Sequence, residues 1–153
     1  MIHQRDVLMR QIMDLAQFLA EVLNLQQSEQ YDEAAAHIQQ AFRQLTGEQD
    51  PLRHYPIEKV IDQCTAPGGL SAELALNVAD LLKQEGDLLQ REQRREEACR
   101  AYVRALILYK KTIATDTAAL PLDIWETVGD VEELVAPCDL TDDEQAALDA
   151  IDT

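Results

Sequence analysis

Side chains capable of acid–base, thiol or metal chemistry are thinly spread through this chain. The three histidines, His3, His37 and His54, lie far apart in sequence. Glu33 and His37 share a helix face at i, i+4, but a metal site needs three or four converging ligands and there is no second Glu/His pair. An ordinary surface pair accounts for them. Asp142-Asp143-Glu144 lacks the spacing and the glycine of a calcium loop, and acidic residues at a helix start complement the macrodipole. Cys99 sits among Arg95, Arg100 and Arg104, whose charges would lower a thiol pKa if they surrounded it. Its place beside Ala98 reads instead as a buried, inert cysteine. Cys64, Cys99 and Cys138 are odd in number, widely spaced and without a Cys-x-x-Cys pair. That argues against a disulfide framework and a zinc knuckle, and for a reducing compartment. Glycine-rich phosphate loops and a nucleophile elbow are missing, and no lysine follows Pro67-Gly68-Gly69 to meet a phosphate. The residues therefore predict no catalysis, no cofactor and no metal.

Charge is the stronger signal. The formal net charge is −16. Residues 1–111 hold 17 acidic and 13 basic side chains, whereas residues 112–153 hold 12 acidic ones and neither Lys nor Arg. Such a chain repels phosphate backbones and anionic lipid at long range, so no nucleic-acid or membrane partner is expected unless one basic face acts alone. Against this stands a basic band, Arg91, Arg94, Arg95, Arg100 and Arg104, continued by Lys110 and Lys111. Glu96, Arg100 and Arg104 at i, i+4 intervals would satisfy part of it by surface pairing. The acidic C-terminal region is a natural cover for the rest, in the same chain or in a twofold partner.

The elements that must position these residues are helices. Glycine and proline are few, Ala, Leu, Gln and Glu dominate, and β-branched and aromatic residues are sparse, so helix and no sheet is expected. A first helix spans Gln4 to Gln26, with Leu8, Ile12, Leu15, Leu19 and Val22 on one face and Phe18 and Leu25 widening it. A second spans Tyr31 to Leu45, closed by Gly47 in the left-handed conformation. Asp50-Pro51 and Tyr55-Pro56 bracket a linker. Pro56 opens a short helix to Cys64, and Ser71 caps the next. Leu74 to Tyr109 then forms a hairpin of two long helices joined by a charged turn from Arg91 to Glu96, the unit around which the chain is organised. After a polar break from Thr115 to Leu120, a helix from Pro121 to Leu134 places Trp125, Val128, Val131 or Glu132, and Val135 inward. Thr141 to Glu144 is a capping box that starts a final helix ending near Asp152. The N-terminus shows no signal peptide and no stretch reaches the ~20 apolar residues of a membrane span, which points to the cytoplasm.

In the central hairpin Leu82, Gly86 and Leu89 are followed by Ala98, Tyr102 and Ala105. Phe18, Val22 and Leu25, followed by Ala34, Ile38 and Ala41, repeat those offsets 64 residues earlier. Both sets resemble the tetratricopeptide pattern, in which small residues let two helices touch and large ones fill the space around them. Glu85 stands where that pattern has leucine, and Val22 and Glu21 occupy the glycine and leucine positions of the first hairpin. Trp125-Glu-Thr-Val128-Gly129 looks like a third first-helix, with the C-terminal segment as cap. The insertion of roughly 30 residues between Glu48 and Asn77 departs from the ~34-residue period.

The expected protein is one all-α domain over 1–153. It comprises a first hairpin (1–47), a linker with a short helix (48–70), a central hairpin (71–115) and acidic C-terminal helices acting as a cap (121–153). The resemblance implies a right-handed stack of six to seven helices and a non-catalytic scaffold that binds a protein or peptide, including another copy of itself as a homodimer. Carried onto this chain it places the partner-facing side chains at Lys83, Asp87 and Gln90. The alternatives are a small helical-bundle enzyme or metal protein, and an acidic mimic that occupies a nucleic-acid-binding protein.

Overall fold

The computed structural model describes residues 2–115 and 120–152, and the side chains of 5–115 and 120–151. Among these residues the chain forms α1 (Ile2–Gln27), α2 (Tyr31–Thr46), a 3-10 turn (Leu52–His54) and α3 (Ile57–Gln63). A two-stranded pair follows, β1 (Thr65–Ala66) and β2 (Gly69–Leu70), then α4 (Ala72–Arg91), α5 (Arg95–Thr115), α6 (Ile124–Val135) and α7 (Asp142–Asp152). The protein is all-α. Its termination signals act as their chemistry dictates. Gly47 closes α2 at φ 75° and donates its N–H to the Arg43 carbonyl, and the Ser71 hydroxyl accepts from the Leu74 N–H at the start of α4. Thr141 and Glu144 exchange both capping-box bonds, at 3.2 and 2.9 Å.

The α4–α5 hairpin is the centre. Leu74, Val78, Leu81, Leu82 and Leu89 of α4 are buried against Ala98, Ala101, Tyr102, Ala105, Leu106 and Tyr109 of α5. The helices cross closely because Gly86 has no side chain: a Cβ there would lie 2.4 Å from Cε1 of Tyr102. Two hydrogen bonds set the register, the Tyr102 hydroxyl donating to Asp87 at 2.6 Å and the Tyr109 hydroxyl to Asp80. Asp80 and Asp87 are spaced as Tyr102 and Tyr109 are, so each Tyr–Asp rung joins residues whose numbers sum to the same value, as an antiparallel pair requires. The first hairpin packs on this unit, α1 and α2 both touching α4. Its Val22, Ala34, Ile38, Ala41 and Phe42 are fully or almost fully buried. On the other side α6 and α7 lie on α5, and α7 also reaches α3.

Four expectations are corrected. The stretch after α3 is a strand pair, because Pro67-Gly68 turns the chain and Gly69, at φ 116°, adopts a backbone that other residues disfavour. Helix α6 begins at Ile124, since Pro121 to Asp123 make a turn closed by the Ile124 N–H on the Pro121 carbonyl. Ile124 therefore takes the inner stripe with Val128, Val131 and Val135, and Trp125, one position round the helix, is 67% exposed. Finally, Cys99 and Cys138 form a disulfide, with Cα atoms 5.8 Å apart. Sequence distance concealed it: α6 runs back along α5, and the turn after Val135 returns Cys138 to the first turns of α5. Cys99 is half-buried and bonded, not a buried free thiol; Cys64 is the buried free cysteine, its thiol pushed up to about 12 by burial. Most of the polar break from Thr115 to Leu120 lies outside the described residues.

Gly86→Ala is expected to lower stability by about 1–3 kcal/mol through overpacking against Tyr102. Thermal denaturation checks it, and Tyr102→Ala in the same chain should cancel the clash, so that the two substitutions cost less together than their sum.

Candidate interaction cleft

Glu85 follows the leucines of α4 onto the buried face, and a carboxylate there needs partners. The linker supplies one. Arg53, in the 3-10 turn, places Nη1 3.1 Å from Glu85 Oε2, and Gln39 of α2 donates to the same oxygen at 2.7 Å. Arg53 also donates from Nε to Glu97 at 2.6 Å, and His54 Nε2 lies 2.6 Å from that Glu97 oxygen. Arg53 and Glu85 are both buried. Glu85 Oε1 has no hydrogen-bond partner among the described residues. Burial raises the Glu85 pKa to about 7, and the charge of Arg53 opposes the shift without reversing it. Glu97 moves the other way. Burial alone would raise it, but hydrogen bonds from Arg53 and His54 prevail and hold it at about 2. The cluster ties α2, the linker, α4 and α5 together and opens onto none of the larger surface hollows.

The basic band does not form one surface. Arg91 stacks on the Tyr31 ring at 3.7 Å, and Arg94 pairs with Glu92 at 3.5 Å. Arg104 is buried and lies 2.8 Å from Glu144, donating also to the Tyr55 and Arg100 carbonyls. Desolvation lowers the Arg104 pKa and the Glu144 carboxylate counters it. Arg104 thus turns to α7 in place of the surface pairing expected along α5. Lys110 meets Glu132 at 3.7 Å, so the acidic C-terminal region does reach α5, at two points. Arg95 and Arg100 border a hollow of about 410 Å³ beside the disulfide, with Glu96, Asp139 and Glu144 on its other walls. Its walls carry both signs of charge, and Cys99 and Cys138 within it are bonded to each other.

Of the three partner-facing residues expected on α4, Lys83 and Asp87 lie together and Gln90 lies apart. Lys83 lies in a cleft between α1, α4 and α6, and its ammonium is 3.1 Å from Asp87. Asp87 is held between Lys83 and the Tyr102 hydroxyl. Gln90 is exposed and borders the disulfide hollow instead. The cleft has one apolar wall, Leu19 and Leu23 of α1, a floor of Asp80, Lys83 and Gln84 of α4 with Tyr109 behind, and a wall of Thr127 and Asp130 of α6. Its volume is about 180 Å³. Asp80 has a raised pKa, from burial first and from Asp123 nearby, with the Tyr109 bond pulling it down. His37 and Glu33 do not pair through the Glu33 side chain: His37 Nδ1 meets the Glu33 carbonyl and Nε2 lies 3.2 Å from Glu21. Among the described residues no group of three or more His, Cys, Asp or Glu is placed to hold a metal ion, and no helix is long and apolar enough to cross a membrane. The chain matches no family model, no curated protein and no solved structure.

The expectation for α4 named Lys83 but neither Asp80 nor Asp130, which line the same cleft, and it did not include the Arg53–Glu85 pair. The seven-residue spacing shared by the two aspartates of α4 and the two tyrosines of α5 was an available signal for Asp80. Nothing local announced Arg53 as the partner of Glu85.

The folded-state pKa of Glu85 lies above its ordinary value, so the folded protein binds this proton more tightly than the unfolded chain does. Its contribution to stability therefore grows as pH falls from about 7 toward about 4.5, by up to about 3 kcal/mol. Glu97 has the opposite sign, stabilising above about 4.5 and losing that contribution as pH falls toward 2. Urea denaturation at pH 5, 6, 7 and 8 should show the difference in stability between the native chain and Glu85→Gln changing most between pH 5 and 7 and levelling off toward pH 8. A constant difference would refute the assignment.

Proposed function

We propose that this protein is a non-catalytic, tetratricopeptide-like scaffold of the cytoplasm that binds a protein segment. The observation that carries the reading is the cleft into which α1, α4 and α6 each contribute side chains. These are the first helices of the two hairpins and of the third, incomplete unit. In a right-handed stack of such hairpins the first helices face one concave side, and a shared cleft among the three follows from that arrangement. The close Gly86–Tyr102 crossing and the burial of Ala34, Ile38 and Ala41 are the contacts such units use.

The third unit supports a capped array. A Cβ at Gly129 would meet no described atom within 4 Å, and α7 docks on α5 and α3. Trp125 therefore stands exposed where a following helix would cover it.

Capture from native cell extract, using the full chain and a Lys83→Glu, Asp130→Lys variant as baits, tests the scaffold. A protein held by the native bait and lost by the variant, with equal melting temperatures for the two baits, is the expected result. Identical capture by both would count against the cleft. The location is tested separately by alkylating thiols in freshly lysed native cells and measuring the mass. The Cys99–Cys138 bond of the fold stands against a reducing compartment, so substantial free thiol at both positions would support the cytoplasm and a fully oxidised pair would place the protein elsewhere.

A further inference from the structure

Helix α1 carries an apolar stripe that the fold leaves uncovered. Met9, Met13, Ala16, Ala20 and Leu23 are all exposed, Met13 at 65%. They recur at alternating steps of four and three residues, the spacing of a seam that meets a second helix, whereas the α1 face turned to the core is a different set, Leu15 and Val22. The stripe runs roughly 20 Å along the helix, about four turns. Its ends are methionines and leucine, which adapt to a partner's side chains, and its middle is alanine, which allows a close approach.

The surroundings say what would lie there. Leu23 belongs both to the stripe and to the cleft, so the apolar seam continues into the carboxylates Asp80 and Asp130. Asp123 adds to the negative field at Asp80 and Lys83 opposes it, but Lys83 is itself paired with Asp87, so the carboxylates outnumber the one ammonium at this face. Exposed Arg5 and Arg10 lie at the opposite, N-terminal end of α1. A second copy would bring another chain of net charge −16 to this face; a partner of opposite charge is attracted to it.

We propose that the uncovered face of α1 docks an amphipathic helix of another protein, seating its apolar ridge on Met9 to Leu23 and a lysine- or arginine-bearing flank over Asp80 and Asp130. The inference rests on the scaffold reading and moves the main contact from α4 to α1. Binding of this kind uses the helix-in-groove mode, with anchors at i, i+3, i+4 and i+7.

Isothermal titration of the full chain with two synthetic 20-residue helical peptides tests it. Both peptides carry leucines at alternating three- and four-residue steps; one has lysines along one flank and its twin has glutamates. The lysine peptide should bind at least about tenfold more tightly than its twin and weaken as salt is raised. Met13→Glu and Asp130→Lys should each weaken it at least about fivefold, while Met13→Leu and the remote Asp62→Asn leave it unchanged. Melting curves establish that each variant is folded. Equal binding of the two peptides, equal loss with Asp62→Asn, or no effect of Met13→Glu overturns the proposal. So does a dimer in light scattering that Met13→Glu dissociates, because the stripe is then covered by a second copy. If neither peptide binds while the Lys83→Glu, Asp130→Lys bait still loses its captured protein, this inference falls and the scaffold stands.

Discussion

The architecture depends on how closely α4 and α5 approach at Gly86. With Cε1 of Tyr102 only 2.4 Å from where a Cβ would be, the two helices are in contact along a line that no other residue type at position 86 would allow without displacement. That approach brings Asp87 to the Tyr102 hydroxyl and Asp80 to Tyr109. The hairpin thereby acquires a defined register as well as an apolar core. Everything else is laid onto it: α1 and α2 on the α4 side, α6 and α7 on the α5 side.

A charge inside the core is the second organising fact. Glu85 is buried one residue from the crossing and shares a network with Gln39, Arg53, Glu97 and His54. Burying a carboxylate beside a guanidinium is weak evidence for stability, because desolvation offsets much of the attraction, but removing one partner leaves the other stranded. The network thus explains the linker between the hairpins. Residues 52–54 are not slack chain between the hairpins; through Arg53 they carry the counterion of the buried Glu85. Oε1 has no hydrogen-bond partner among the described residues, and burial holds the Glu85 pKa at about 7.

The acidic C-terminal third is divided by the same logic. Glu144 is drawn inward because it completes the capping box of α7 and meets the buried Arg104. The Cys99–Cys138 bond fastens the turn before α7 to the start of α5. The carboxylates of α6, Asp130 among them, are exposed. Beside the uncovered methionines of α1, Asp130 and Asp80 make a surface with an apolar half and an anionic half.

Helix, turn and cap chemistry were legible in the sequence because they are local. The periodicity of Leu74 to Tyr109, Gly47 past the end of α2, and Thr141 with Glu144 at the start of α7 each act within a few residues of their own position. Gly86, Ala98 and Tyr102 were legible as a crossing because small residues at helical spacing mark where backbones touch. What only the tertiary structure decided were the meetings of distant segments: Arg53 with Glu85, Cys99 with Cys138, Arg104 with Glu144, and Leu23 with Asp80 and Asp130. Trp125 shows the limit most plainly. An aromatic residue in an amphipathic helix reads as core, yet its burial depends on whether another helix arrives, and a one-dimensional pattern carries no record of arrivals.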